Sequence, residues 1–376
     1  MSSENRNADD TRRRRSSKAA KKKARKKRNR IILFTVEILV LLALGVVLWG
    51  VSKGTQVDKI NIEIEQNPEL ESYYEQVNAS SNEEGTGRGY MQVALFGVDS
   101  REGELNRNTR TDTIIIASIN LDTQEVKLVS VYRDTYLNLG NDSYNKCNGA
   151  YAAGGPVQAI QMLNMNLDLN IEHYVTVGFR GVVETVNGLG GVEIDISSAE
   201  IGYLNDYQYC IAEDLGISNY NEVTNTGVQM LDGLQACAYC RIRYTAGDDF
   251  RRAERQRTVL TQMSEQAKLC SASTLVTIAT NAFENVSTSF DLDTILELAA
   301  EAPNYTIVGS EGFPFTEYRS TGTIGSKGSC VLPMDLATNV SMLHEFLFGV
   351  EDYQPSSTVM ECSERIAADI APYIGQ

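Results

Sequence analysis

Short runs of β-branched and aromatic residues, bounded by turn formers, alternate along the chain with segments of helical periodicity. The short runs predict strands at 93–98, 113–119, 126–132, 174–179 and 192–196. The periodic segments predict helices at 155–163, 179–186, 230–240, 250–269, 273–282, 291–300 and 335–348. Strands interspersed with helices indicate an α/β fold, which we expect to be a layered α/β/α domain with a central mixed sheet.

A different pattern precedes this domain, because residues 31–51 are apolar almost throughout. A helix of this length extends about 30 Å, which matches the hydrocarbon core of a bilayer. A cleavable signal peptide is the alternative, but its apolar region would be about 7–15 residues long and small residues would follow it. We therefore predict a single uncleaved transmembrane signal anchor.

Charge is distributed unevenly around the anchor. Residues 1–30 contain fourteen lysines and arginines and three acidic residues, whereas the whole chain has a formal net charge of −15. Cationic flanks stay on the cytoplasmic side, so we predict a cytoplasmic N-terminus and an extracytoplasmic domain. A nucleic-acid-binding arm is the alternative for such a basic run. The run lies directly before a spanning segment, so we expect it to contact anionic membrane lipid. We predict no nucleic-acid partner.

Five segments are therefore expected. They are a basic cytoplasmic tail at 1–30, the anchor at 31–51, a stalk at 52–90, a catalytic domain at 91–355 and a C-terminal extension at 356–376. All seven cysteines follow the anchor, where disulfides can persist, and their odd number leaves at least one unpaired. Cys237 and Cys240 have no second cysteine pair or histidine cluster nearby in sequence, which argues against zinc or thioredoxin chemistry.

Arginine is concentrated in one short stretch of this acidic domain. Six arginines fall between residues 241 and 257, where repulsion must be offset by carboxylates or by bound anions. A solvated helix face with surface ion pairs is one explanation for 251–257. Arg241 and Arg243 end an apolar run that should be packed, so they need partners. Because a guanidinium group matches phosphate oxygens in bidentate fashion, a pyrophosphate is a natural ligand.

Two aspartates lie at the ends of neighbouring predicted strands. Asp99 follows the first strand and Asp112 precedes the second, so their carboxylates can converge on one cation. Oxygen ligands near phosphate suggest Mg²⁺, although aspartates at strand ends also commonly form turns. Arg133 follows the third strand and can approach the same site, or it can pair with Asp134.

From about residue 91 to 350 the chain resembles the LytR-CpsA-Psr family of membrane-anchored cell-wall enzymes. The resemblance rests on motifs that occur in this order: Gly97-Val-Asp99-Ser-Arg101, Arg110-Thr-Asp112, Tyr132-Arg133-Asp134, Lys146-Cys-Asn-Gly-Ala-Tyr151, Asn187-Gly-Leu-Gly-Gly191, Arg241-Ile-Arg243 and Asp249-Phe-Arg-Arg252-x2-Arg255-Gln256. Tyr132 stands where the family usually has proline, and Asn187 stands where it usually has aspartate.

The resemblance implies an activity. Family members move a glycopolymer, such as a teichoic acid or capsular polysaccharide, from an undecaprenyl pyrophosphate carrier to peptidoglycan. They form a phosphodiester and release undecaprenyl phosphate. We therefore expect a glycopolymer–peptidoglycan phosphotransferase at the cell membrane of a Gram-positive-type envelope. A lipid-pyrophosphate-binding regulatory module and a lipid-linked pyrophosphatase are the alternatives that the same residues allow.

The resemblance also implies residue roles. Asp99 and Asp112 would hold Mg²⁺ or Mn²⁺. The residues that would bind pyrophosphate are Arg101, Arg110, Arg133, Arg241, Arg243, Arg252, Arg255 and Gln256. The residues with an implied catalytic role are Asp99, Arg110, Arg133, Arg241 and Arg243. The family's apolar groove for the lipid could be lined by residues 157–163, 182–189 and 259–263, which could equally be ordinary core.

Overall fold

A six-stranded mixed sheet organises the part of the chain that the computed structural model describes, which is residues 66–81, 87–99, 105, 110–243 and 248–373. The predicted tail, the anchor, residues 52–65 and 82–86 of the predicted stalk, and Arg101 lie outside these ranges. None of the helices within the described ranges is both long enough and apolar enough to cross a bilayer.

The strands are β1 (Tyr90–Val98), β2 (Thr111–Asn120), β3 (Glu125–Val131), β4 (Tyr136–Asn138), β5 (Tyr144–Lys146), β6 (His173–Val177), β7 (Val192–Ile196), β8 (Gly227–Leu231), β9 (Val286–Thr288), β10 (Thr306–Phe313), β11 (Arg319–Thr323) and β12 (Ser329–Pro333). The helices are α1 (Glu71–Ala79), α2 (Asn148–Leu167), α3 (Phe179–Gly188), α4 (Ser198–Leu215), α5 (Gly233–Tyr239), α6 (Asp248–Lys268), α7 (Ala272–Ala282), α8 (Leu292–Glu301), α9 (Leu336–Phe348) and α10 (Ser357–Ile370).

The large sheet has the strand order β10-β3-β2-β1-β6-β9. Strand β1 is antiparallel to β2 and parallel to β6, so that Leu95 lies between Ile115 and Val175. Strands β10 and β3 form a second parallel pair. These pairings confirm the predicted α/β fold with a central mixed sheet.

Alternate residues of the central strands face opposite sides of this sheet. On one side, Phe96 and Ile116 belong to a large core that includes residues of α2, α9 and α10. On the other side, Ile115 and Leu128 form a smaller cluster that contacts Leu260 of α6. The two-residue period of a strand assigns neighbouring apolar residues to different layers.

A separate apolar cluster forms next to the sheet. It joins the antiparallel pair β7 and β8 to α3, α4 and α5 and includes Val259 of α6. The predicted helix at 230–240 begins later than expected, at Gly233. Met230 and Leu231 belong to β8 instead, where they pair with β7. Asp232 and Gln235 then form a capping box that starts α5.

Packed helices also occur near both ends of the described chain. Within the predicted stalk, α1 buries Tyr74 and Val77. Within the predicted C-terminal extension, α10 buries Val359 and Ile366 in the main core. Both helices belong to the same compact unit as the sheet. The domain boundaries themselves remain predictions.

Candidate functional site

A cavity of about 400 Å³ lies beside the ends of β1 and β2, between the sheet and helices α3, α5 and α6. Most of its wall is apolar and includes Leu95, Ile115 and Val182. Its charged residues are Asp99, Asp112, Arg241, Arg243 and Arg252, and the amide of Gln256 lies beside them. The structure therefore brings six of the predicted site residues to one cavity.

Asp99 is positioned by the end of β1, where the pairing with β2 shifts register between Gly97 and Val98. A Cβ atom on Gly97 would lie 2.8 Å from the Thr113 side chain, so only glycine allows this close approach of the strands. Arg241 Nη2 lies 3.7 Å from Asp99 Oδ2. The distance leaves the Arg241 guanidinium group able to contact a further anion.

Aromatic rings hold the Arg241 side chain on its other sides. Its guanidinium carbon lies 4.6 Å from the centre of the Phe179 ring and 5.3 Å from that of the Tyr207 ring. Cation–π contacts restrict a side chain that otherwise has many rotamers. Neither aromatic residue was among the predicted site residues.

Asp112 on β2 connects the cavity to Arg133, which follows β3. Arg133 Nη1 donates a hydrogen bond to Asp112 Oδ1, and Arg252 Nη2 donates to the main-chain oxygen of the same aspartate at 3.2 Å. Arg133 also pairs with Asp134, as the sequence allowed, at 3.5 Å. The two interpretations of Arg133 are therefore compatible, because one guanidinium group serves both carboxylates.

Asp249 in the first turn of α6 is the centre of this group. Its carboxylate lies within 3.8 Å of Arg133, 3.2 Å of Arg243 and 3.1 Å of Arg252. Burial disfavours its charged form, but the three guanidinium groups outweigh that effect and lower the pKa of Asp249. The sequence offered only a weak signal for this role, namely the spacing of three residues between Asp249 and Arg252.

We call these residues the arginine cluster: Arg133, Arg241, Arg243 and Arg252, with Asp99, Asp112 and Asp249. Four cations and three carboxylates meet here in a chain with a formal net charge of −15. Burial and the neighbouring Arg133 lower the pKa of Arg252, so an added anion would relieve repulsion within the cluster. Gln256, one turn after Arg252, is held by the main-chain oxygen of Cys240 at 3.4 Å.

Two predicted site residues that the structure describes, Arg110 and Arg255, do not join the cluster. Arg101 lies outside the described residues, and Arg110 is exposed before β2 and does not line the cavity. Arg255 is 2% exposed and pairs with Glu200, to which its Nη2 atom lies at 2.9 Å. It also donates to the main-chain oxygen of Ile242 at 3.1 Å. Arg255 thus anchors the segment that carries Arg241 and Arg243.

The apolar wall of the cavity continues into a second, almost wholly apolar cavity of about 470 Å³. Leu95, Val175, Leu260 and Met263 line both, so the two volumes adjoin. Residues of α7 and α8 cover the far part of the second cavity. The 182–189 and 259–263 segments contribute to these walls, as expected for a groove, whereas Ile160 and Leu163 are fully buried in the core of the opposite face.

The carboxylates of the cavity suit a hard cation that retains water. Asp99 and Asp112 both line it, and the described residues contain no group of three or more histidine, cysteine or acidic side chains placed to hold a metal. Mg²⁺ is commonly bound by one or two carboxylates together with substrate phosphate and water. The donor set therefore fits such an ion only in combination with a phosphate ligand.

The model of the LytR_cpsA_psr family matches residues 50–335, which is most of the chain. This protein belongs to the LytR-CpsA-Psr family. The chain is 31% identical over 258 residues to a protein of Enterococcus faecalis named polyisoprenyl-teichoic acid–peptidoglycan teichoic acid transferase TagU. That alignment covers 67% of this chain and 75% of TagU.

Solved structures of LytR-CpsA-Psr proteins share the fold. TagT bound to LI-WTA is 23% identical, covers 70% of this chain and 92% of its own, and superposes with a TM-score of 0.53. A structure of the family protein YwtF (TagT) with bound octaprenyl pyrophosphate lipid is 21% identical, covers 70% of this chain and 92% of its own, and has a TM-score of 0.50. At these identities the similarity shows the α/β fold alone.

Proposed function

We propose that this protein transfers a glycopolymer from a polyprenyl pyrophosphate carrier to peptidoglycan. The observation that carries the proposal is the 400 Å³ cavity, in which an apolar wall ends at the arginine cluster and continues into a second apolar cavity. A ligand that is apolar along its length and doubly charged at one end matches this arrangement. The name of the similar Enterococcus faecalis protein supports the same reaction.

The bond changes follow from the ligand. An acceptor hydroxyl oxygen attacks the phosphorus next to the sugar, and the bond from that phosphorus to the bridging oxygen breaks. Polyprenyl phosphate leaves with the bonding electrons, and the hydroxyl proton passes to a carboxylate of the cluster or to water. The product is a phosphodiester between the glycopolymer and peptidoglycan.

The arginine cluster would stabilise charge in this step. Charge builds on the non-bridging oxygens and on the departing phosphate, which fixed guanidinium groups stabilise without reorganising. Arg241 is held by aromatic rings, and Arg243 and Arg252 by Asp249. We propose pyrophosphate binding by Arg133, Arg241, Arg243, Arg252 and Gln256, with catalytic roles for Asp99, Arg133, Arg241 and Arg243. The predicted roles of Arg101 and Arg110 stay predictions.

Asp99 and Asp112 would hold Mg²⁺ or Mn²⁺. Such an ion, when bound, neutralises phosphate charge and polarises the phosphoryl group. The Arg133 contact keeps the Asp112 carboxylate oriented at the cavity wall. A chelator should therefore suppress transfer, and added Mg²⁺ should restore it.

The proposal includes the predicted location, with a single-pass anchor, a cytoplasmic N-terminus and an extracytoplasmic catalytic domain. An anchored enzyme stays near a lipid-linked substrate, which raises the effective concentration of that substrate. Protease added to intact protoplasts should digest the domain while leaving the N-terminal tail protected. Protection of both parts would contradict this topology.

The decisive experiment uses the full chain in detergent with a short glycan on undecaprenyl pyrophosphate and a peptidoglycan acceptor. The wild type should release undecaprenyl phosphate and form a muramic phosphodiester that mass spectrometry detects. Arg241→Ala combined with Arg243→Ala should lower transfer by about a hundredfold or more, because two charge-stabilising groups are lost. Arg365→Ala, which removes a surface arginine of α10, is the matched control.

Each other result contradicts either the transferase or its proposed site. Donor binding without turnover would favour the regulatory module. A glycan product with a free phosphate end would identify a pyrophosphatase. Undiminished transfer by the double variant would exclude the arginine cluster as the site.

A further inference from the structure

A small cavity of about 20 Å³ lies between the end of β3 and the first turns of α6, next to the arginine cluster. Asp112, Arg252 and Gln256 line both this cavity and the 400 Å³ cavity, so these three residues separate the two. A cavity that holds one water molecule needs roughly 10–15 Å³. The small cavity therefore has room for a single water.

Apolar side chains form one wall of the small cavity. Tyr132, Ala253 and Val331 line it, and they pack with Phe250 into one cluster. The Tyr132 and Phe250 rings meet edge to face, with their centres 4.7 Å apart. On this side the polar atoms of the small cavity are shielded from bulk water.

Ser130 of β3 places a hydroxyl group among these residues. Leu128, two residues earlier, belongs to the cluster on the α6 side of the sheet, so the Ser130 side chain faces α6 as well. Ser130 is 2% exposed, and its Oγ atom has no hydrogen-bond partner within the described ranges. Burying a hydroxyl group without a partner costs free energy, so we expect one in the small cavity.

Two arginines that line the small cavity have unsatisfied Nε donors. Arg252 is 5% exposed, its Nη1 atom pairs with Asp249, and its Nη2 atom donates to the main-chain oxygen of Asp112. Its buried Nε atom has no hydrogen-bond partner in the described part of the chain. Arg133 Nε lies 3.5 Å from Asp134 Oδ2 but forms no hydrogen bond with any described residue.

Asp249 contributes an acceptor to the same cavity. Its Oδ1 atom lies 3.1 Å from Arg252 Nη1 and 3.2 Å from Arg243 Nε, yet it accepts no hydrogen bond from the residues described. The lining thus offers two N–H donors, one carboxylate acceptor and one hydroxyl group that can act as either. A water molecule accepts two hydrogen bonds and donates two, so one water satisfies all four groups.

Charge favours water over an ion at this position. The guanidinium groups of Arg133 and Arg252 repel a cation, and the Asp249 carboxylate repels an anion. Neutral water pays neither cost.

We propose that the small cavity holds one internal water molecule and that Ser130 is a positioning residue of the site. The water accepts hydrogen bonds from Nε of Arg133 and Arg252, and it donates to Asp249 Oδ1 and Ser130 Oγ. It thereby fixes the planes of two guanidinium groups, which charge stabilisation requires to be held in place. The positioning role rests on the proposed transfer, whereas the water site does not.

A crystal structure of the full chain grown in a lipid mesophase tests the water directly. We expect one peak in the small cavity, at about 2.7–3.2 Å from each of the four atoms. A parallel soak in bromide should give no anomalous signal there. A structure that shows other internal waters but no peak here would overturn the proposal, and so would a bound bromide.

A pair of matched serine variants tests the same water in solution. Ser118 of β2 is also 2% exposed and its Oγ atom also has no partner among the described residues, but it does not line the small cavity. Removing an unsatisfied hydroxyl group relieves a cost, whereas removing one that binds water loses a hydrogen bond. Ser130→Ala should lower the Tm by about 2 °C, and Ser118→Ala should leave it unchanged or raise it. Equal shifts in the two variants would overturn the water site.

Transfer assays test the positioning role. Ser130→Val puts a methyl group where the water would lie, so kcat should fall about tenfold while the KM for the lipid donor changes by about twofold or less. Ser130→Ala should show a smaller loss in kcat, and it serves alone if Ser130→Val does not fold. Ser118→Ala should transfer normally. An unchanged kcat in the Ser130 variants would overturn the positioning role.

The two readouts separate this proposal from the proposed function. The water in a protein that never transfers would leave the water site standing and overturn the transferase. Full transfer by a protein without the water would do the reverse.

Discussion

The two faces of the central sheet are built from the same kinds of residue but differ in how they are filled. On the face covered by α2, α9 and α10, Phe96, Ile116 and Leu163 are at most 1% exposed and belong to one large core. On the face covered by α6, α7 and α8, Leu95 and Leu260 line two adjoining cavities. Apolar composition is therefore common to a core and to a binding groove, and the covering helices determine which one forms.

The helices that cover the two faces show the same difference. Helix α9 buries Leu336, Val340 and Leu343 almost completely. Helix α8 has no buried residue, and its Leu298 and Ala299 face the apolar cavity. A helix whose apolar stripe lines open space retains hydrophobic surface that a lipid chain can bury.

The largest expected difference between the faces is in the cost of removing a leucine. Leu163→Ala should lower the free energy of unfolding by about 2–5 kcal/mol, because it leaves a cavity in a filled core. Leu260→Ala should cost about 1 kcal/mol or less, because its side chain already borders open space. Chemical denaturation of the two variants measures both values, and equal costs would contradict the comparison.

Replacing an alanine by phenylalanine should affect stability on one face of the sheet and lipid binding on the other. Ala159→Phe, in the core covered by α2, α9 and α10, should destabilise the protein by about 1–3 kcal/mol through overpacking. Ala279→Phe, which points a ring toward the apolar cavity, should change stability little but weaken binding of a polyprenyl pyrophosphate. Thermal unfolding and lipid titration distinguish the outcomes. Undiminished lipid binding by Ala279→Phe would show that the second cavity does not hold the polyprenyl chain.

The smallest expected effect concerns the two histidines. Burial of His344 in α9 lowers its pKa to about 4, although a hydrogen bond with the Leu167 oxygen opposes the shift. The unfolded chain then binds the proton more readily. Stability should be complete above the ordinary value of 6.5 and should fall as the pH drops from 6.5 toward 4. Between pH 7 and 5.5 the loss should be about 1 kcal/mol.

The other histidine provides the control. His173 is half-buried, and its ring stacks on Phe290, which lines the apolar cavity. Denaturation curves at the two pH values should show that His344→Gln removes most of the pH dependence and that His173→Gln keeps most of it. The opposite pattern would assign the titration to His173, on the face of the sheet that borders the two cavities.

Local patterns in the sequence determined the order of elements and the convergence of the main site residues. Strand alternation and helical periodicity depend on residues close in the chain, so the predicted strands and most helices are confirmed. Asp99 and Asp112 meet because they flank paired strands, and this follows once the strands are identified. The family was also recognisable, because its motifs keep their order and spacing.

Only the tertiary structure decided which apolar segments are core and which charges meet. Segments 157–163 and 259–263 have similar composition, but one fills a core and the other borders cavities. Asp249 contacts Arg133, which is far from it in sequence, as well as the nearer Arg243 and Arg252. Arg255 instead pairs with Glu200. Hydrophobicity and charge are properties of single residues, whereas packing density and ion pairing depend on what the folded chain brings opposite them.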